Sequence, residues 1–294
     1  MRFREARRGP SYVLTPAGPA AIPMDRSRPR PASHPVLDST RALVFAHRGG
    51  AALRPENTML AFEHGLAFGA DGLEFDVQLS RDRVVVVCHD LAVDRTTNAT
   101  GLIARKTWSE LEQLDAGWSF GAGNGHPYRG RGCRIPRLTD VLARFRGHPL
   151  IIELKGTNLD LAAAAVEEVR RAGALGRVCF GSFSVSLLKA ARACGDDVVT
   201  SGGSDEIARA LRWSWLGLAP PGRAYQALQV PERFGATRIV SRGFVATMRR
   251  AGVVVQVWTV NEADDMRRLL GWGVRGLITD RPDVGVEVVR GPRA

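Results

Sequence analysis

Lysine is nearly missing. The 41 basic residues include only Lys106, Lys155 and Lys189, so almost all of the positive charge is arginine. Cysteine is scarce too. Cys88, Cys133, Cys179 and Cys194 form no CxxC pair and no zinc-like spacing, which argues against a zinc ribbon or a disulfide framework. Cys88 and Cys179 sit in apolar runs, where a thiol packs as a small hydrophobe. With no secretory signal, a reduced, cytoplasmic protein is the expectation. No apolar run is long enough to span a membrane. No GxxxxGK[ST] loop occurs and no GxGxxG turn follows an early strand, which speaks against phosphate-loop and dinucleotide-binding folds.

What is present is a 294-residue chain with 45% apolar and 24% charged residues. That supports one large domain with a full core. The net charge is +11, which raises polyanion binding as a first hypothesis. Much of the excess is local. Residues 1–36 hold seven arginines against Glu5 and Asp25, together with seven prolines and few large apolar residues. Such a segment cannot bury enough surface to offset its chain entropy. We therefore expect a disordered basic tail over residues 1–38 and a folded domain over 39–290. The tail's composition also suits a transit peptide, and Met24 offers an alternative start.

From residue 40 onward, short β-type runs alternate with helical stretches. The runs are Leu43–His47, Gly72–Leu79, Val84–His89, Leu150–Lys155, Val178–Ser182, Asp197–Ser201, Tyr225–Val230, Val253–Val260 and Arg275–Thr279. Helical stretches are expected at Asn57–Phe68, Leu159–Arg171, Ser184–Ala193, Asp205–Leu216, Phe244–Ala251 and Glu262–Trp272. Alternation of this kind means a mainly parallel sheet with crossover helices. Only Ser80–Arg83 separates the second run from the third, too few residues for a parallel crossover. Val84–His89 must fold back as a hairpin arm. Eight runs remain, which is the arithmetic of a TIM (β/α)8 barrel; an open doubly wound sheet is the alternative. Residues 91–148 are too long for a simple loop. They read as a small insertion after the second barrel strand, with short helices at Ser109–Leu114 and Leu138–Phe145.

The polar residues inside the strands carry the chemistry. In Gly72–Leu79, Glu74 and Asp76 share one face because strand side chains alternate. Glu153 and Lys155 share a face of the next barrel strand. Buried carboxylates must be paired or metal-bound. Three of them converging at strand ends suit a hard divalent cation, Mg²⁺ or Ca²⁺; structural ion pairing is the alternative. His47 closes the first strand and His89 the hairpin arm, which gives a candidate general acid and general base. Arg48 and Lys155 add fixed positive charge. Cation, proton carriers and clamps together fit metal-assisted phosphodiester chemistry.

These residues carry a family resemblance. His47-Arg48-Gly49, Pro55-Glu56-Asn57-Thr58, Glu74-Phe75-Asp76-Val77, His89-Asp90, Glu153-Leu154-Lys155, Val257-Trp258-Thr259-Val260-Asn261 and Ile278-Thr279-Asp280 occur in that order. The sequence resembles the glycerophosphodiester phosphodiesterase family over residues 42–285. The resemblance implies a TIM barrel that hydrolyses glycerophosphodiesters to sn-glycerol 3-phosphate and an alcohol, using one divalent cation. It implies Glu74, Asp76 and Glu153 as metal ligands and His47 and His89 as the acid–base pair. Arg48 and Lys155 fall on phosphate contacts. Trp258 falls on an aromatic wall for the glycerol, although a core role is the alternative. Glu56, which could also approach the metal, and Asn57 fall on supporting positions, and Asn57 or Thr58 also reads as a helix cap. Two departures stand out. Arg83 occupies a hairpin-turn position where the family usually has glycine. Residues 201–241 resemble the family least; within them Gln229 is a candidate ligand-facing residue. The expected partner is a small glycerophosphodiester, not a nucleic acid. The competing functions are a lysophospholipase D-like enzyme and a catalytically idle phosphodiester- or polyanion-binding protein.

Overall fold

The computed structural model describes residues 33–38 and 40–291. Eight strands run parallel: β1 (Leu43–His47), β2 (Gly72–Leu79), β4 (Leu150–Leu154), β5 (Val178–Gly181), β6 (Val199–Thr200), β7 (Ala227–Pro231), β10 (Val254–Trp258) and β11 (Gly276–Thr279). Their order around the sheet is β6-β5-β4-β2-β1-β11-β10-β7. A parallel bridge from Ser201 to Ala227 joins the two ends and closes the barrel. The expected TIM barrel is therefore the fold. The seam is its weakest join. β6 is two residues long rather than the five expected, with Ser201 making only the single bridge before Gly202 and Gly203. Side chains reinforce it: the Thr200 amide donates to Gln226 Oε1 at 3.1 Å, and Arg192 donates to the Ser201 carbonyl at 3.0 Å.

The hairpin arm is present as β3 (Val85–Val87), antiparallel on β2 with Val77 opposite Val87. Its turn places Arg83 at φ 66°, the left-handed region that glycine enters at least cost. The insertion holds α2 (Trp108–Leu111) and α3 (Leu138–Arg144). The outer ring comprises α1 (Met59–Ala67), α4 (Leu159–Arg171), α5 (Val185–Ala193), α6 (Ser204–Ser214), α7 (Arg242–Arg250), α8 (Ala263–Gly271) and α9 (Pro282–Arg290). Most begin on a side-chain cap, as Thr58 does for α1 by accepting from the Ala61 amide. That cap excludes Asn57, which takes φ 57° just before the helix. Two elements were not anticipated. One is α9, whose alternating valines read locally as strand. The other is a small hairpin, β8 (Arg233–Phe234) and β9 (Thr237–Arg238), standing above β7.

Strand alternation divides the apolar residues. Leu73, Phe75 and Val77 face the helices with Phe62, Ala165 and Val166. Leu43, Phe45, Ile151, Cys179, Val254 and Ile278 fill the barrel axis. Val36 and Leu37 join this inner cluster and are fully buried. They lie on a 3-10 turn, Pro35–Leu37, whose Val36 carbonyl accepts from Gln256 Nε2 at 2.7 Å. The expectation of a disordered segment reaching residue 38 is corrected at this end: two large apolar side chains close the bottom of the barrel. Residues 1–32 of the expected tail lie outside the described residues.

Candidate active site

The axis changes character toward the C-terminal ends of the strands. Above the apolar layers the inward positions become His47, Glu74, Asp76, Glu153, Gln229 and Trp258. Glu74 and Asp76 are buried, at 5% and 1% exposure. One oxygen from each of Glu74, Asp76 and Glu153 lies within 4.8 Å of the others. Lys155, just past β4, places Nζ 3.0 Å from Asp76 and 2.9 Å from Glu153. Burial and Asp76 push the Glu74 carboxyl up to about 7. Burial opposes the charge of Asp76 as well, but Lys155 and Arg48 outweigh it and hold that carboxyl below its usual range. The cluster is thus short of positive charge, and all its donors are oxygens. Both features fit a hard divalent cation held by Glu74, Asp76 and Glu153.

Both sequence-marked histidines reach this site, each oriented by a carboxylate. His47 Nδ1 lies 2.6 Å from Asp280 Oδ1, and its Nε2 points inward, 3.9 Å from Glu74. Asp280 is itself fixed: Asn261 Nδ2 donates to its Oδ2 at 3.0 Å, and its amide donates to Asn261 Oδ1 at 2.9 Å. Burial disfavours the His47 imidazolium, but the bond to Asp280 and the nearby Glu74 outweigh burial and raise its pKa. His89 Nδ1 lies 2.6 Å from Asp90 Oδ1. A carboxylate on Nδ1 fixes the tautomer and leaves Nε2 to exchange a proton.

Arg48 stands between these groups. Its backbone takes φ 50°, which turns its amide toward Glu74 Oε2 at 3.2 Å. Its Nη1 donates to Glu56 Oε1 at 2.9 Å and its Nε lies 3.4 Å from Asp76. Asn57 Nδ2 donates to Asp76 Oδ2 at 2.9 Å. Glu56 also accepts from Arg95; it therefore serves these two arginines and is not part of the three-carboxylate group, whereas Asn57 supports that group directly.

A cavity of about 470 Å³ opens over the cluster. Its polar half is formed by His47, Arg48, Glu74, His89, Glu153 and Lys155. Its other half is apolar, with Phe183, Ile207, Leu211, Phe234, Ile239 and Trp258. Trp258 packs edge-on against Phe183, ring centroids 5.7 Å apart; it lines the cavity while its buried side rests on the inner core cluster. Gln229 borders the cavity too, with its amide tied to Gln256 Oε1 at 3.0 Å.

This constellation can be set beside known proteins. Residues 47–284 match the model of the glycerophosphoryl diester phosphodiesterase family. The chain belongs to that family. A glycerophosphodiester phosphodiesterase from Caldanaerobacter subterraneus subsp. tengcongensis is 31% identical over 258 residues, covering 85% of this chain and 98% of the relative. The human lysophospholipase D GDPD3 is 28% identical, covering 87% of each chain. Among solved structures, a phosphodiesterase from Oleispira antarctica in complex with the product sn-glycerol-3-phosphate has a TM-score of 0.68 and 25% identity, covering 85% of this chain and 98% of that one. The chain is accordingly an enzyme of the phosphodiesterase class. Among the described residues, no helix is long and apolar enough to cross a membrane.

Of the residues singled out from sequence, the structure brings together His47, Arg48, Glu56, Asn57, Glu74, Asp76, His89, Glu153, Lys155, Gln229 and Trp258. Sequence reasoning gave no role to Asp280, Asn261, Asp90 or Arg95. Asp280 and Asn261 stood inside quoted motifs, and Asp90 adjoins His89, so position was visible while the hydrogen-bonding role was not. Arg95 carried no signal at all.

Proposed function

We propose that this protein hydrolyses glycerophosphodiesters to sn-glycerol 3-phosphate and an alcohol, with one divalent cation, Mg²⁺ or Ca²⁺, held by Glu74, Asp76 and Glu153. The observation that carries this reading is the meeting, in one cavity, of a three-oxygen cluster with two imidazoles each anchored by a carboxylate. When bound, the cation polarises a phosphoryl oxygen and offsets charge on the phosphate. Arg48 and Lys155 bind the phosphate and stabilise the charge that develops on its oxygens. His47 and His89 carry the protons through Nε2. One deprotonates the nucleophile, water or the substrate's own glycerol hydroxyl, and the other protonates the leaving alkoxide. Trp258 and Phe183 give the glycerol backbone an apolar wall.

The test is release of glycerol 3-phosphate from glycerophosphocholine and glycerophosphoethanolamine with Mg²⁺, with Ca²⁺ and with a chelator. Turnover that stops on chelation and returns with either cation is expected; chelator-insensitive turnover would overturn the metal assignment. A second reading, turnover of lysophospholipids, is favoured by the apolar half of the cavity and by the name of the human relative. It expects lysophosphatidylcholine to be cleaved, and Ile207→Asp to depress that activity while sparing glycerophosphocholine.

A further inference from the structure

Arg95 belongs to the 91–148 insertion, not to a barrel strand. Its Nη1 and Nη2 donate to Glu56 Oε2 and Oε1 at 2.7 and 2.8 Å, and its Nε donates to Asp90 Oδ2 at 2.6 Å. Each acceptor has a second task. Glu56 Oε1 also accepts from Arg48, and Asp90 Oδ1 holds His89. One guanidinium therefore links the carboxylate behind the phosphate-binding arginine to the carboxylate behind an imidazole. The three linked pieces come from separate parts of the chain: the loop after β1, the end of the hairpin arm, and the insertion.

We propose that Arg95 is a positioning residue for the phosphodiesterase reaction, fixing Arg48 and His89 relative to each other and neutralising Glu56 so that Arg48 stays available to the phosphate. This rests on the function proposed above. The chemistry needs a planar fork. Three donors in fixed geometry reach two carboxylates at once, which a lysine ammonium on a flexible stem does not reproduce. Without Arg95, Glu56 has only Arg48 as its cation. That carboxylate then competes with the substrate phosphate for the same guanidinium and repels it. Asp90 keeps its bond to His89 but loses the anchor that sets its place.

The test measures both turnover and binding of sn-glycerol 3-phosphate, using the full chain. Arg95→Met is expected to lower kcat/KM by about tenfold to a hundredfold, the range of one or two charge-assisted hydrogen bonds. KM and the product dissociation constant should both rise. Arg95→Lys should remain at least about tenfold impaired. The decisive variant is Glu56→Gln. Alone it should lower activity, because Arg48 loses its anchor. On the Arg95→Met background it should raise kcat/KM at least about threefold, because the uncompensated carboxylate is gone. A merely structural role gives additive losses and no such recovery. Additive losses, or an Arg95→Met variant within twofold of the parent, overturn the proposal. If Arg95→Met melts below the assay temperature, Arg95→Lys decides: folded and at the parental rate, it overturns the proposal. Failure of the parent to turn over glycerophosphodiesters refutes the proposed function. In that case unchanged glycerol 3-phosphate affinity in Arg95→Met refutes the clasp separately, and weakened affinity supports it.

Discussion

Replacing Asp280 by asparagine isolates the orientation of one imidazole. Asp280 lies between His47 Nδ1 at 2.6 Å and Asn261 Nδ2 at 3.0 Å. The aspartate accepts from both. Asparagine has only one acceptor oxygen, and Asn261 already commits its own oxygen to the Asp280 and Thr279 positions. The new carbonyl therefore turns toward the Asn261 amide, and the new NH₂ faces His47. His47 Nδ1 must then accept, which moves the imidazole proton to Nε2. In that tautomer Nε2 can no longer take a proton. Loss of a hydrogen bond to a charged group alone costs about 1.5–3 kcal/mol, or about tenfold to a hundredfold in rate. The wrong tautomer extends the loss toward about 10⁴, as in the corresponding change in serine proteases. The pH profile should move as well. His47 is raised because Asp280 and Glu74 outweigh its burial. Without the Asp280 charge, burial gains weight, so the His47 limb of the kcat/KM profile shifts to lower pH. Initial rates of glycerol 3-phosphate release across pH 5–9 (roughly the range in which histidine titrates), with thermal melts to confirm folding, provide the assay. A folded Asp280→Asn enzyme within threefold of the parent and with an unmoved profile refutes the dyad.

Two stability predictions follow from the same structure. Arg83→Gly should relieve a left-handed arginine, worth about 1–2 kcal/mol. The gain is offset in part by glycine's unfolded-state entropy and by loss of the exposed Arg83–Asp160 pair, leaving a rise in melting temperature of about 1–2 °C; a fall would contradict the turn assignment. Glu168 on α4 is pushed up to about 7, mainly by burial, and its Oε2 has no hydrogen-bond partner. A carboxyl raised in the folded state costs nothing below its unfolded value of 4.5, where both states are neutral; the penalty accumulates as pH climbs from there and is complete above about 7. Glu168→Gln should therefore match the parent near pH 4 and melt higher at pH 8, and an equal difference at both pH values would refute the assignment.

Legibility in the sequence followed the range of the signal. The eight strands showed because both faces of a parallel barrel strand are apolar except where chemistry intrudes. Glu74 and Asp76 stood out in Gly72–Leu79 for that reason, and two-residue alternation placed them on one face. The hairpin arm followed from a four-residue gap. What stayed hidden depends on pairing at a distance. Asp280 meets His47 across 233 positions, and a carboxylate after a strand looks the same whether it orients a histidine or faces water. Arg95 was one arginine among 38. Val36 and Leu37 were lost in a proline-rich stretch because their burial depends on an open barrel end that local composition does not reveal. The β8–β9 hairpin, with two-residue strands and exposed side chains, has almost no pattern to show.

The arm that carries His89 gives the molecule two different cooperativities. His47 sits on a strand hydrogen-bonded to neighbours on both sides, so its position is lost only when the barrel comes apart. His89 lies two residues past a three-residue strand that has one full neighbour, β2, and on its other side only a single bridge from Val86 to Arg137, with the Cys88 amide on the Asp76 carbonyl at 3.0 Å and the Val87 amide on the Pro136 carbonyl at 2.9 Å. Segments with so few backbone bonds open at a fraction of the global free energy. One imidazole is thereby tied to the survival of the fold and the other to a local fluctuation. The expected outcome on warming is that turnover fades before the barrel melts, with hydrogen exchange at Val85–Val87 rising at that lower temperature; loss of turnover, exchange protection and fold at one temperature would refute it.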